Sequence, residues 1–261
     1  EIAKGLLGRA IELDNNLLIA KNLLGWIYLW NNDNEKAKKL YFENLKQAES
    51  LCDDKEMANS LNGLGCVYRD KRDYEKSLLY HNKSLIIRKR ISDLKGKAGS
   101  LSNIGTVYSS QGNNKKALQF MDNAVVIFKK LEIKERVALC YTNMGVFYTS
   151  MDDYKKGLNY YLKSHKIYQE INSKASIGLV MYNIGRAYYL MGQYDKALES
   201  TLSSFNMAKT LEYKMQMSDS LYVIGEINYV QANYDKALEY YERALKIDKK
   251  TGDKTIISHV A

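Results

Sequence analysis

Proline is missing altogether from this 261-residue chain. Nothing therefore forces a break or kink, and long uninterrupted helices are allowed throughout. Cysteine is scarce: Cys52, Cys66 and Cys140 are odd in number and far apart. That argues against a disulfide framework and for a reducing compartment, read here as the cytoplasm. The three histidines, His81, His165 and His259, show no metal-ligand spacing with Cys or carboxylates. His81 and His165 fall on helices and read as packed or surface residues. No run of about 20 apolar residues occurs, so no membrane span is expected, and the first residues carry no secretory signal. Glycine-rich phosphate loops are absent, and no serine sits in a nucleophile elbow. Carboxylate pairs fall on solvated faces, without a shared apolar pocket. These absences leave no constellation for catalysis, so we expect no enzyme activity, no cofactor and no metal.

Charge is not lacking: the formal net charge is +9, from 39 Lys and Arg against 30 Asp and Glu. Lysine is spread over the whole chain, which reads as a solvated surface. Only Arg88-Lys89-Arg90 and Lys71-Arg72 are clustered. Nucleic-acid binding is therefore the weaker reading, and it would have to run through those basic helices.

What dominates is a period of 40 residues. Gly25, Gly65, Gly105, Gly145, Gly185 and Gly225 form one column. Tyr28, Tyr68, Tyr108, Tyr148 and Tyr188 form another, with Asn228 as the exception. Ala37, Ser77, Ala117, Gly157, Ala197 and Ala237 form a third. Fixed self-similarity at this period means a solenoid. Glycine inside a helix costs about 1 kcal/mol against alanine, so a repeated one needs a packing reason. The glycine column lets two helices approach, and the small column supplies the matching surface. The tyrosine column reads as core, with its hydroxyls near a partner or water.

Residues 1–14 read as one helix with a buried stripe of Ala3, Leu7, Ala10 and Ile11. They resemble the second helix of the later repeats, so the chain is expected to open inside a repeat. Six helix–turn–helix units over 15–254 follow, and 255–261 read as the start of a truncated seventh. In each unit a first helix of about four turns carries the Gly and Tyr columns. Turns such as NND at 31–33 and MDD at 151–153 follow, with Asp73 and Asp153 the clearest N-caps. A longer second helix comes next, for example Tyr74 to Ile91. Its columns Leu78, Leu118, Leu158, Leu198 and Leu238 are expected to be buried, with Tyr80, Phe120, Tyr160 and Tyr240 further along. A polar link such as SDLKGK at 92–97 joins one unit to the next.

Helical geometry selects a candidate surface. The Gly, Tyr and preceding Leu columns share one side of the first helix. The opposite side carries positions three and two before each glycine, and one, four and five after it. Lysine, abundant elsewhere, is absent there. Uncharged hydrogen-bonding groups and aromatics take its place. The candidate groove residues are Asn62, Arg69, Asn103, Asn143, Tyr182, Asn183, Arg186, Tyr189, Tyr222 and Tyr229. An asparagine amide can both donate to and accept from one peptide bond. Asn103, Asn143 and Asn183 could thus clamp a peptide backbone, or they could bond to neighbouring helices and hold superhelical pitch. Tyr and Arg are enriched in interaction hot spots. Trp26, Leu29 and Trp30 make a second, apolar end, unless a preceding repeat covers them.

The runs LGCVY at 64–68, IGTVY at 104–108 and IGRAY at 184–188 resemble the tetratricopeptide repeat. So do DYEKSL at 73–78 and YDKALEYYERAL at 234–245. The 40-residue length and the missing proline resemble the long-helix subclass of kinesin light chains and bacterial peptide receptors. The resemblance implies an all-α, right-handed superhelical solenoid whose first helices line a concave groove. It implies a protein or peptide ligand in that groove, within a larger, possibly bacterial, signalling protein. Members that grip a C-terminal carboxylate carry Lys three before one glycine and Asn one after it. This chain has neither, so a carboxylate clamp is not expected. A self-associating structural array, and so a homo-oligomer, is the alternative.

Overall fold

The computed structural model describes residues 2–14 and 16–251, with side chains to Lys249. The expected seventh-repeat start at 255–261 lies outside the described residues. Thirteen helices and no strand are present among the described residues. The chain forms two compact units, the first ending at Glu132 and the second beginning at Ile133. The first holds α1 (Ile2–Leu13), α2 (Leu18–Trp30), α3 (Asn34–Ser50), α4 (Asp54–Asp70), α5 (Tyr74–Arg90), α6 (Leu94–Ser110) and α7 (Asn114–Lys130). The second holds α8 (Lys134–Thr149), α9 (Tyr154–Glu170), α10 (Lys174–Leu190), α11 (Tyr194–Thr210), α12 (Lys214–Val230) and α13 (Tyr234–Thr251). Within each unit every helix packs on the next, and the first helices of successive repeats also touch: α2 on α4, α4 on α6, α10 on α12.

The true spacing of the backbone is 20 residues, half the period of the side chains. One residue with positive φ recurs at Asn32, Cys52, Arg72, Ser92, Gly112 and Glu132, and at Asp152, Asn172, Gly192, Glu212 and Ala232. Each ends a helix in a left-handed turn. The next residue's N–H then bonds five residues back, as Asp33 N does to Tyr28 O at 2.8 Å and Asp93 N to Arg88 O at 2.9 Å. That same residue opens the following helix. Asp33, Asp53, Asp73, Asp93, Asn113 and Asp153 each accept from the N–H three residues on. First and second helices are consequently equal at 17 residues in α3 to α7. The expected polar link at 92–97 is corrected: Leu94 to Lys97 are already the first turn of α6, started by the Asp93 cap.

Five of the column glycines open a slot for one side chain of the partner helix, and at Gly105 the backbone of α7 itself approaches, with Ala117 O 3.0 Å from where a Cβ would lie. A Cβ on Gly65 would lie 2.6 Å from the His81 ring, and one on Gly25 2.6 Å from the Tyr41 ring. Tyr161 and Tyr241 fill the same slot at Gly145 and Gly225, and Thr201 fills it at Gly185. The small column from Ala37 to Ala237 is buried throughout. Neighbouring repeats are joined by short polar pairs. Asn44 Nδ2 donates to Ser60 Oγ at 3.0 Å, Ser84 and Ser100 share a bond of 3.2 Å, and Ser220 Oγ donates to Ser204 Oγ at 3.2 Å.

Three burial expectations need correction. The tyrosine column is half-buried, because it lies at the turn edge. Tyr68 stacks on Tyr80 at 5.3 Å and Tyr108 on Phe120 at 5.4 Å, with the ammonium groups of Lys76 and Lys116 over the rings. The leucine column is likewise half-buried, and Leu238 is 59% exposed. In α1 the stripe is shallow: Ala3 is exposed and Leu7, Ala10 and Ile11 are half-buried, since α2 is the main helix packed against it.

Candidate functional site

In the first unit the groove candidates are committed to the scaffold. Asn62, on α4, is buried rather than facing outward. Its Oδ1 accepts from Asn103 Nδ2 of α6 at 2.9 Å and lies 3.0 Å from His81 Nδ1. With one amide already donating to that oxygen, His81 bonds to it as an Nδ1–H donor. Asn103 is thus a bridge between repeats. Arg69, also half-buried, donates to its neighbour Asp70 through Nε at 3.0 Å and Nη2 at 2.8 Å. The position three before glycine is inward-facing here, contrary to the helical-wheel expectation, because Asn22 and Asn62 are both buried. Burial pushes the Cys66 thiol up to about 11, which makes it inert at neutral pH. All three cysteines are free thiols.

The basic cluster is not a free patch either. Arg88 is buried. Its Nε donates to Ser84 Oγ at 3.0 Å, Nη2 to Asn59 Oδ1 at 2.9 Å, and Nη1 pairs with Asp93 at 3.3 Å. Arg90 pairs with Asp54 at 2.5 Å, and Lys71 pairs with Glu35.

The second unit is different. Asn143 on α8 and Asn183 on α10 are half-buried, and neither amide is bonded to any described residue. On α10, Tyr182, Arg186 and Tyr189 lie on one face, because they are spaced by four and three residues. On α12, Tyr222, Glu226 and Tyr229 repeat that spacing, and Asp219 precedes them by one turn. The rings of Tyr182 and Tyr189 pack against Ala197, Val223 and Ile227, which fixes their positions. Tyr222 packs on Tyr241 at 5.4 Å, Tyr189 on Tyr194 at 6.0 Å and Tyr229 on Tyr234 at 5.5 Å. Arg186 is exposed and makes no ion pair with a described residue.

The electrostatics of this face are bipolar. Burial raises the phenols of Tyr182, Tyr189 and Tyr222 above the usual range. At Tyr182 the strongest charge felt is Arg186, which opposes the rise. At Tyr189 and Tyr222 it is Glu226, which adds to it. Tyr241 is pushed up to about 12, by burial first and then by Glu226. The structure therefore brings together five of the ten candidates: Tyr182, Arg186, Tyr189, Tyr222 and Tyr229. It adds Asp219, Glu226 and Tyr241. Asp219 and Glu226 were readable from their spacing of three and four residues around Tyr222. Tyr241 was hidden, because its column otherwise belongs to the glycine slot. No group of side chains that could hold a metal occurs among the described residues, and none of their helices is long and apolar enough to cross a membrane.

Helical hairpins stacked at a fixed repeat, with uncharged polar and aromatic residues on the first-helix face, define an α-solenoid scaffold. Tetratricopeptide repeat models match residues 57–93 and 98–132 in the first unit, and 136–210 and 181–250 in the second. The chain belongs to the tetratricopeptide repeat family. No curated protein matches it in sequence. Among solved structures it is similar to a Rap protein complexed with Competence and Sporulation Factor, at 19% identity and TM-score 0.71, over 90% of this chain and 77% of that one. It is similar to BtubC from P. vanneervenii, at 17% identity and TM-score 0.67, over 90% and 92%. NprR in complex with its cognate peptide NprX gives 17% identity and TM-score 0.64, over 90% and 68%.

Proposed function

We propose that this chain is a binding scaffold that holds a peptide, or an extended segment of a partner protein, on the first-helix face of α8, α10 and α12. The observation that carries this reading is the exposed Arg186, which makes no ion pair with a described residue and is set among packed tyrosines. A solvated helix face would be lysine-rich and loosely ordered. Here the rings are held by neighbours, so little side-chain entropy remains to be lost on binding. Asn143 and Asn183 offer unbonded amides to a peptide backbone. Two neighbours of the same fold, Rap and NprR, are described in complex with Competence and Sporulation Factor and with a cognate peptide, which favours a peptide over a globular partner. Within a larger signalling protein, ligand binding would bias the repeats toward one packing.

The test is selection of peptides from a displayed random library on the whole chain, followed by titration. Arg186→Ala and Tyr222→Ala should each weaken the selected peptide at least about tenfold, which is about 1.4 kcal/mol. Lys166→Ala, on the exposed side of α9, should not. Equal effects from all three would refute the assignment. Self-association has one observation in its favour: Trp30, Ile19 and Leu6 are 91%, 64% and 67% exposed. A mass that stays monomeric over a concentration series would remove it.

A further inference from the structure

The binding face of the second unit is not uniformly charged, and the order of its charges constrains what it can take. This inference rests on the peptide-binding reading above. Arg186 and Glu226 occupy equivalent positions on α10 and α12, 40 residues apart in sequence, on helices that touch. Arg186 lies against the Tyr182 hydroxyl, whereas Glu226 acts most strongly at Tyr189 and Tyr222 and next after burial at Tyr241. Asp219, one turn before Tyr222 on α12, adds a second negative charge that is felt at Tyr182. Both charges are felt at Tyr182, Tyr189 and Tyr222, Arg186 more strongly at the first and Glu226 at the other two, so the face presents one cation and one anion in successive repeats.

We propose that the face selects an extended peptide bearing one acidic and one basic side chain three residues apart. The acidic group would sit over Arg186 and the basic group over Glu226, among the rings of Tyr222, Tyr229 and Tyr241. Neighbouring helix axes lie about 10 Å apart. An extended chain advances about 3.3 Å per residue, so three residues span that gap. An aromatic wall around a carboxylate favours a cation twice, through charge and through the ring faces. A guanidinium beside a phenol favours a carboxylate by bidentate bonding. A peptide with two like charges meets one repulsion wherever it lies, which is how such faces exclude wrong partners.

The experiment uses the whole chain, labelled, against bead libraries of acetylated, amidated heptapeptides. Positions two and five are fixed as Glu/Lys in both orders, as Glu/Glu or as Lys/Lys, and the other positions are random. Blocked ends exclude recognition of a terminal carboxylate or amine. The wild-type chain should favour the mixed libraries by about tenfold over either like-charged one. Arg186→Glu should shift the preference to Lys/Lys, Glu226→Arg to Glu/Glu, and the double variant Arg186→Glu with Glu226→Arg should restore the mixed preference. Because each single variant is expected to gain a ligand, a misfolded protein cannot mimic the result. If the variants bind peptides but the pattern does not move, the charge assignment is wrong while peptide binding stands. If no library binds the wild-type chain, the binding reading and this inference both fail.

Discussion

His81 should make this protein acid-sensitive well above the pH at which carboxylates titrate. The ring fills the slot under Gly65 and is fully buried. Its Nδ1–H is spent on Asn62 Oδ1, and Nε2 is buried with no partner. Burial first, then the fields of Arg69 and Arg88, depress its pKa from 6.5 to about 3. A depressed histidine binds its proton more tightly unfolded than folded. The stability is therefore complete above the unfolded pKa and is lost as pH falls from about 6.5 toward 3. Each pH unit in that window costs about 1.4 kcal/mol. Between pH 7 and pH 5 the loss is about 2 kcal/mol. Helix caps and surface pairs contribute little there, because the cap carboxylates Asp33, Asp73 and Asp153 are held below their usual range and titrate at lower pH. The half-buried His165 is shifted the same way and leaves a smaller residual slope.

The control is already built into the chain. Met121 is the residue one repeat on, buried at the equivalent position beside Gly105. His81→Met should therefore keep the packing, leave Asn62 bonded to Asn103, and remove the titration. Urea denaturation at pH 7, 6 and 5 measures it. The wild-type midpoint should fall steadily, and the His81→Met midpoint should fall by at most half as much. Equal slopes in the two proteins would refute the reasoning, and would mean that His81 is solvated or that its unit opens before it protonates.

Further tests follow from the turns and the buried polar groups. Ala232 holds φ 60° at a helix end, so Ala232→Gly should stabilise by about 1 kcal/mol, and Gly112→Ala, where φ is +75° and the space is open, should destabilise by a similar amount; opposite thermal shifts are the check. Arg88→Ala should cost about 3 kcal/mol by leaving Asp93 and Asn59 without their buried partner, whereas Arg90→Ala, which loses an exposed pair, should stay within about 1 kcal/mol; urea midpoints separate them. Gly65→Ala should cost about 1–3 kcal/mol by overpacking the His81 ring, and the loss should shrink when His81 is replaced by a smaller residue.

The repeats were legible in the sequence because a solenoid prints its packing once per period. Glycine, tyrosine and small-residue columns in fixed phase leave little alternative. The 20-residue backbone rhythm was not legible, because Arg72, Glu132 and Glu212 take the left-handed turn where glycine would announce it. The asparagines were misjudged for a related reason. Helical phase says which way a residue points, but not how closely the next repeat approaches that side. Asn62 and Asn103 meet a neighbour and Asn143 and Asn183 do not, although all but Asn62 occupy the same column. The Arg88 cluster reads as a basic patch in one dimension, and only packing shows that its first member is inside.

The location of the candidate site follows from where the chain breaks its own pattern. In five of the repeats the second helix carries two bulky residues in succession: Leu40-Tyr41, Tyr80-His81, Phe120-Met121, Tyr160-Tyr161 and Tyr240-Tyr241. In α11 that pair is Ser200-Thr201, both buried. A smaller pair would leave a void, and voids of that size cost several kcal/mol when nothing fills them. Here the aromatic bulk reappears on the first helices, where Tyr182 and Tyr189 pack against Ala197 of α11 and Val223 and Ile227 of α12. Thr201 fills the Gly185 slot, and the packed rings of Tyr182 and Tyr189 lie on the same face of α10 as Arg186. Substituting Ser200-Thr201 with Tyr-Tyr should therefore compete with Tyr182 and Tyr189 for the same space and displace the binding face while leaving the helical content unchanged.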